Sequence, residues 1–203
     1  CALPILISDY FPNSKNDDVI EGIEIVTSTS TLPYEVMLDA QIFAWFMYTT
    51  HLSGTTSYIA RFLNKYKQIS YEDFYMGLFE FLQNDKWFKA EQDEVKQYYR
   101  NWAELGQINH PGIEGATLSG QSVLQHTRLK IIANQQFDKL LYLVDKYLRN
   151  FKLEPLLQHE LMVFQRGRIL DFYRLAEYPI KHNFHYDFFG YIVNDSKLID
   201  RKS

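Results

Sequence analysis

The sequence predicts a mainly α protein: an irregular helical domain of about six or seven helices, with extended N- and C-terminal arms and room for one or two short strands. Three observations carry this expectation. Apolar residues recur at helical spacing along most of the chain. Only nine Gly and six Pro among 203 residues leave long uninterrupted segments between breaks. From Ile42 to Tyr48 every residue is apolar or aromatic, the mark of a helix buried on most sides.

Residues 1–33 hold Pro4, Pro12, Asn13, Asn16 and Asp17, then the alternating Ile23, Ile25 and Thr27, and read as an extended arm with one edge strand. Thr31 and Pro33 open a helix that runs to about Leu52, since Thr accepts from free amides and Pro is tolerated in a first turn. Thr49, Thr50, His51, Ser53 and Gly54 follow the apolar run, and a second helix starts near Tyr58. Ser70 with Asp73 forms a capping box for a helix through Phe74, Leu78, Phe81 and Leu82. Asn84 caps the next, which sets Trp87, Phe88, Val95, Tyr98, Tyr99 and Trp102 against Lys89, Glu91, Asp93, Glu94 and Lys96 on the outer face. Four Gly and Pro111 between residues 106 and 120 make a loop that divides the helical domain, residues 34–177, into halves. After a short segment at 123–132, Asn134 caps a helix with apolar positions 137, 140, 141, 144, 147, 148 and 151, and Pro155 starts another that stops near Gly167. Residues 178–203 read as an extended aromatic tail.

Composition narrows the function. Forty-six per cent hydrophobic and sixteen per cent aromatic residues argue for a packed globular fold. A net charge of −4 offers no basic footprint for nucleic acid. No apolar run reaches the roughly 18 residues of a membrane span, and no signal-peptide pattern opens the chain, so a soluble cytoplasmic protein is expected. A single cysteine, Cys1, excludes disulfide frameworks and multi-cysteine metal sites within this chain.

Motifs for chemistry are sparse, and no catalytic residue is assigned. His185 and Asp187 form the His-x-Asp start of a two-His-one-carboxylate iron site, with His182 nearby, and are the metal candidates. The alternative is a tail that packs its aromatics. His159 and Glu160 begin the zinc-protease pattern, but Val163 stands where the second His is required. Phosphate-loop, nucleophile-elbow and di-iron patterns are absent. His51 stands out at the end of the apolar helix, where an imidazolium would meet the negative end of the dipole, either as a helix-end hydrogen bond or as a ligand contact. Trp45 and Tyr48 lie one turn earlier, and Gly54 and Tyr58 just after.

These residues also carry a resemblance. The stretch from Ser28 to Leu82 resembles the region C-terminal to the barrel in cobalamin-binding radical SAM enzymes, the group that includes the anaerobic magnesium-protoporphyrin cyclase. Ser28 to Pro33 match that group's Ser-Thr-x-x-Met-like helix start. Thr50, His51 and Gly54 match its Phe-His-x-x-Gly, followed by Tyr58 and Ile59. Tyr71, Phe74 and Tyr75 match its Tyr-x-x-Phe-Tyr opening, and Tyr186, Asp187 and Phe188 its closing aromatic-acidic segment. The Cys-x-x-x-Cys-x-x-Cys cluster loop and the cobalamin motif are missing. The resemblance therefore implies a C-terminal accessory domain that carries no cofactor and is inert alone. Its parent enzyme would supply the 4Fe-4S cluster, S-adenosylmethionine and cobalamin, with the radical SAM and cobalamin-binding domains as partners. Trp45, Tyr48, His51, Gly54 and Tyr58 are the implied substrate-contact candidates. The competing expectation is an independent helical module for protein-protein interaction.

Overall fold

The computed structural model describes residues 28–105, 137–168, 182–194 and 196–199, with backbone alone at 102, 104 and 105 and in the strand segments 5–8, 22–25, 108–109 and 117–118. Among the described residues there are seven α-helices: α1 (Tyr34–Met47), α2 (Ser57–Lys67), α3 (Tyr71–Leu82), α4 (Lys86–Leu105), α5 (Phe137–Leu148), α6 (Pro155–Gly167) and α7 (Phe188–Val193). The fold is mainly α, as the apolar periodicity predicts. Two short antiparallel pairs accompany the helices. β1 (Ile5–Ser8) pairs with β2 (Gly22–Ile25), and β3 (Ile108–Asn109) with β4 (Thr117–Leu118). The second pair lies within the 106–120 segment read as loop. Asn134, Trp102, the 123–132 segment and the start of the tail at Tyr178 lie outside the described side chains. No helix among the described residues is long and apolar enough to cross a membrane.

The chain groups into two compact units, Cys1–Phe46 with Trp87–Thr127, and Met47–Lys86 with Arg128–Ser203. In the first, α1 and α4 run antiparallel. Trp45 meets Phe88 at one end, with ring centroids 5.4 Å apart, and Asp39–Lys96 and Glu35–Arg100 pair progressively toward the other at 3.3 and 3.2 Å. Trp45, Phe46 and Val95 are wholly buried. Glu91, expected on the outer face of α4, is buried instead, together with Gln92. Positions 88, 91, 95 and 98 follow the i, i+3, i+7 stripe, so Glu91 falls on the inner face whatever its polarity.

The second unit is built around α2, which packs on α3, α6 and α7, while α5 bridges α3 and α6. Ile59, Phe62, Leu63, Phe74, Leu78, Val144 and Leu161 form its core at zero exposure. Ser70 caps α3 as the capping box predicts, its hydroxyl accepting from the Asp73 amide at 2.9 Å. Asn84 acts differently from expectation. Its side-chain amide donates back to the Glu80 and Phe81 carbonyls, closing α3 rather than opening α4. α6 begins at Pro155, with the Glu154 carboxylate taking the amides of Leu156 and Leu157. The tail turns helical at 188–193, because Asp187 accepts from the Gly190 amide and Lys65 donates to the Tyr191 carbonyl at 2.7 Å while covering the Tyr191 ring. Phe188 and Tyr191 meet Phe62 at tilted and edge-on angles, as Phe164 meets Phe184 and Phe188, so the tail does pack its aromatics.

One close approach fixes the spacing of α3 and α5. A Cβ on Gly77 would overlap the Tyr147 hydroxyl, which donates to the Phe74 carbonyl at 3.3 Å. Alanine in a helix ordinarily gains about 1 kcal/mol over glycine. Here Gly77→Ala is expected to destabilise by about 1–2 kcal/mol, because overpacking outweighs propensity. In a Tyr147→Phe background the clash is removed, and the same substitution should become neutral or stabilising in urea melts.

Candidate functional site

The polar residues after the apolar helix close its end. α1 runs on into a π-helical turn, Tyr48–Leu52, in which the Ser53 amide reaches the Tyr48 carbonyl at 3.0 Å. A helix end leaves its last carbonyls without partners in the helix. The Thr49 carbonyl accepts from the Ser53 and Thr55 hydroxyls, Thr50 from the amide and hydroxyl of Thr56, and His51 from the Gly54 amide. Thr49, Thr50, Thr55 and Thr56 are accordingly buried. Gly54 turns the chain at φ +78°, with open space around its α-carbon. Gly54→Ala should therefore cost about 1 kcal/mol, from the left-handed backbone alone, and Gly54→Asn less, as read in thermal melts.

Helix closure uses the Ser53, Thr55 and Thr56 hydroxyls and leaves aside the buried Thr49 hydroxyl and the His51 ring. Its Nδ1 lies 2.7 Å from the Tyr75 hydroxyl, and the two rings meet edge to face. Tyr71, one turn before Tyr75 on α3, also meets the ring edge to face, with centroids 6.2 Å apart. The Tyr75 oxygen also lies 3.3 Å from Thr56 Oγ1. Burial and, after it, the nearby Arg61 guanidinium lower the His51 pKa below its ordinary 6.5. Both effects favour the neutral ring over the imidazolium expected from the helix dipole. Burial pushes the Tyr75 phenol well above its ordinary range, so it too is uncharged.

Tyr58, half-buried at the start of α2, continues this face. Its ring meets Phe164 edge to face at 5.6 Å, with the Arg61 and Arg168 guanidiniums 5.6 and 5.7 Å from its centre. The structure thus brings His51, Tyr58, Tyr71 and Arg61 into one aromatic and cationic neighbourhood, and Gly54 shapes the turn that leads to it. Tyr48 starts the π turn half-buried. Trp45 belongs to the first unit and is spent in packing on Phe88.

The metal candidates are employed separately. His185 donates its backbone amide, and brings its Nδ1 within 2.5 Å, to the Glu160 carboxylate. Asp187 caps α7, and His182 lies against Phe184. Among the described residues no three His, Cys, Asp or Glu side chains gather as a ligand set. Glu160 also accepts from the Tyr186 amide at 3.2 Å. Burial alone would raise its pKa, but these donors outweigh it and hold the carboxyl below 4.5. Sequence reading noticed Glu160 only as part of a failed zinc motif and did not find Gln165, which is fully buried. Gln165 accepts from the Tyr58 and Ile59 amides at 3.0 and 3.2 Å and donates to the Gly54 carbonyl at 2.7 Å.

A groove of about 780 Å³ lies between α5 and α6, lined by Leu141, Leu153, Met162 and Val163 among others, and contains none of the substrate-contact candidates. Arg166 of α6 pairs across it with Asp138 of α5 at 2.9 Å, and Arg149 pairs with Asp145 one turn back along its α5 edge at 3.7 Å. The sequence matches no protein-family model and no curated protein.

Proposed function

We propose that this chain is the C-terminal accessory domain of a cobalamin-dependent radical SAM enzyme, which helps to enclose substrate beside the barrel and is catalytically inert alone. The observation that carries the reading is the placement of the His51 ring. The hydroxyls around it satisfy the helix end, so the imidazole is not needed for capping, yet it is held at 2.7 Å by a buried tyrosine. A π-helical turn is itself a costly local geometry that recurs at functional sites. One cysteine cannot hold an iron-sulfur cluster, and no step of the chemistry is assigned to this chain's residues. In this reading the cluster, S-adenosylmethionine and cobalamin sit on partner domains of the same enzyme, in the cytoplasm.

The test is anaerobic purification of the natural gene product that contains these residues, followed by iron and sulfide analysis and assay of S-adenosylmethionine cleavage under reductant. A bound cluster and formation of 5′-deoxyadenosine support the proposal. A product with neither, alone or with the proteins encoded beside it, overturns it. The α5–α6 groove favours a second reading, an independent helical interaction module. That reading requires a stable complex, lost on Val163→Asp, from a gene product without a cluster.

A further inference from the structure

One assignment of protons makes hydrogen bonds of all three contacts behind His51. The Thr56 hydroxyl proton is directed at the Thr50 carbonyl, 3.0 Å away, so its oxygen can only accept from the Tyr75 hydroxyl. The phenol proton is then spent on Thr56. In that assignment the 2.7 Å contact between Tyr75 and His51 is filled by a proton on His51 Nδ1. The chain runs from Nδ1–H to the Tyr75 oxygen, from its O–H to Thr56, and from the Thr56 O–H to the Thr50 carbonyl. Each bond polarises the next.

We propose that Tyr75 and Thr56 are positioning residues that hold His51 as the Nδ1–H tautomer, presenting Nε2 as a hydrogen-bond acceptor to an O–H or N–H group of a neutral or anionic ligand. The anionic preference follows from Arg61, which lies 5.6 Å from the centre of the neighbouring Tyr58 ring and adds positive charge that disfavours a cationic ligand here. The ligand half rests on reading the His51 face as substrate-facing. The tautomer half is independent of radical SAM chemistry, so the two fail separately.

The test is long-range 1H–15N spectroscopy on protein labelled with 15N-histidine, with His51 assigned by His51→Gln. Above the titration, Nδ1 should appear as the protonated nitrogen and Nε2 as the bare one; the opposite pattern overturns the relay. In Thr56→Val the phenol proton loses its acceptor and turns to Nδ1, moving the ring proton to Nε2. An unchanged tautomer there removes Thr56 from the positioning role. If that variant does not fold, Tyr75→Phe reads the same relay: loss of the lock should give mixed tautomers, and a retained single Nδ1–H form counts against it. Diethyl pyrocarbonate, attacked by a bare imidazole nitrogen, probes the outward face. Modification of His51 in the folded protein, mapped by mass spectrometry, is expected; protection of His51 while the exposed His182 is modified overturns the ligand-facing half.

Discussion

Glu160→Ala is expected to lower stability by about 3 kcal/mol, a fall in Tm of roughly 6–12 °C for a chain of this size. The carboxylate is 2% exposed and collects three donors: the His185 amide, the His185 imidazole and the Tyr186 amide. Truncation strands them against an apolar neighbourhood in which Phe164, Phe184 and Phe188 pack together. An unmet donor costs more than a formed bond contributes, which is why alanine should be worse than the net value of any single contact. Glu160→Gln keeps one acceptor oxygen but turns an amide toward one of the donors, and should cost about half as much. The acid arm follows from linkage. A carboxyl held below 4.5 in the folded state contributes stability that is complete above that pH and is lost as pH falls through its folded pKa. Between pH 4.5 and that lower value, the wild type should lose stability steeply, and Glu160→Gln should be flatter. Equal slopes in chemical melts across that window would show that the tail is held by its aromatics and not by this carboxylate.

The helices were readable because burial and 3.6-residue spacing act locally. Ser70 and Asp73 announce α3 three residues apart, Pro155 fixes the start of α6, and the apolar run at 42–48 marks the helix that leads to the π turn. Asn84 shows where local rules stop. Its side chain had two helix ends within reach, and chose the carbonyls behind it. The site divides along the same line. His51, Gly54 and Tyr58 were visible because they follow an apolar run within a few residues. The partners that give them their character were not: Tyr75 lies 24 residues from His51, and Glu160 lies 25 from His185. A dipole argument on α1 alone assigned His51 a positive charge. Burial against α3 and the Arg61 charge on α2 oppose that, and neither is a property of the helix that carries the histidine.

Gln165→Ala is expected to cost about 2–4 kcal/mol and to disturb the candidate site without touching it. The reason lies in Thr56. As the residue before α2 it would ordinarily cap that helix, but its hydroxyl is directed backward to the Thr50 carbonyl, and no side-chain cap is made. The first amides of α2 therefore need an acceptor from elsewhere. Gln165 of α6 supplies it for Tyr58 and Ile59, and its own amide donates to Gly54 in the turn before them. One buried side chain thus sets the turn that leaves His51 and the helix start that carries Tyr58 and Arg61. Gln165→Met, close in volume, separates packing from polarity: if it costs nearly as much as alanine in urea melts, the loss is the unmet amides and carbonyl. Gln165→Glu should recover part of it, since a carboxylate satisfies both amides at a positive helix end, but it places its second oxygen against the Gly54 carbonyl. Chemical-shift changes centred on His51 and Tyr58 in these variants, with α5 unperturbed, are the expected signature. Changes confined to α6 would mean that the turn holds its shape without Gln165, and that Thr56 was free to cap α2 after all.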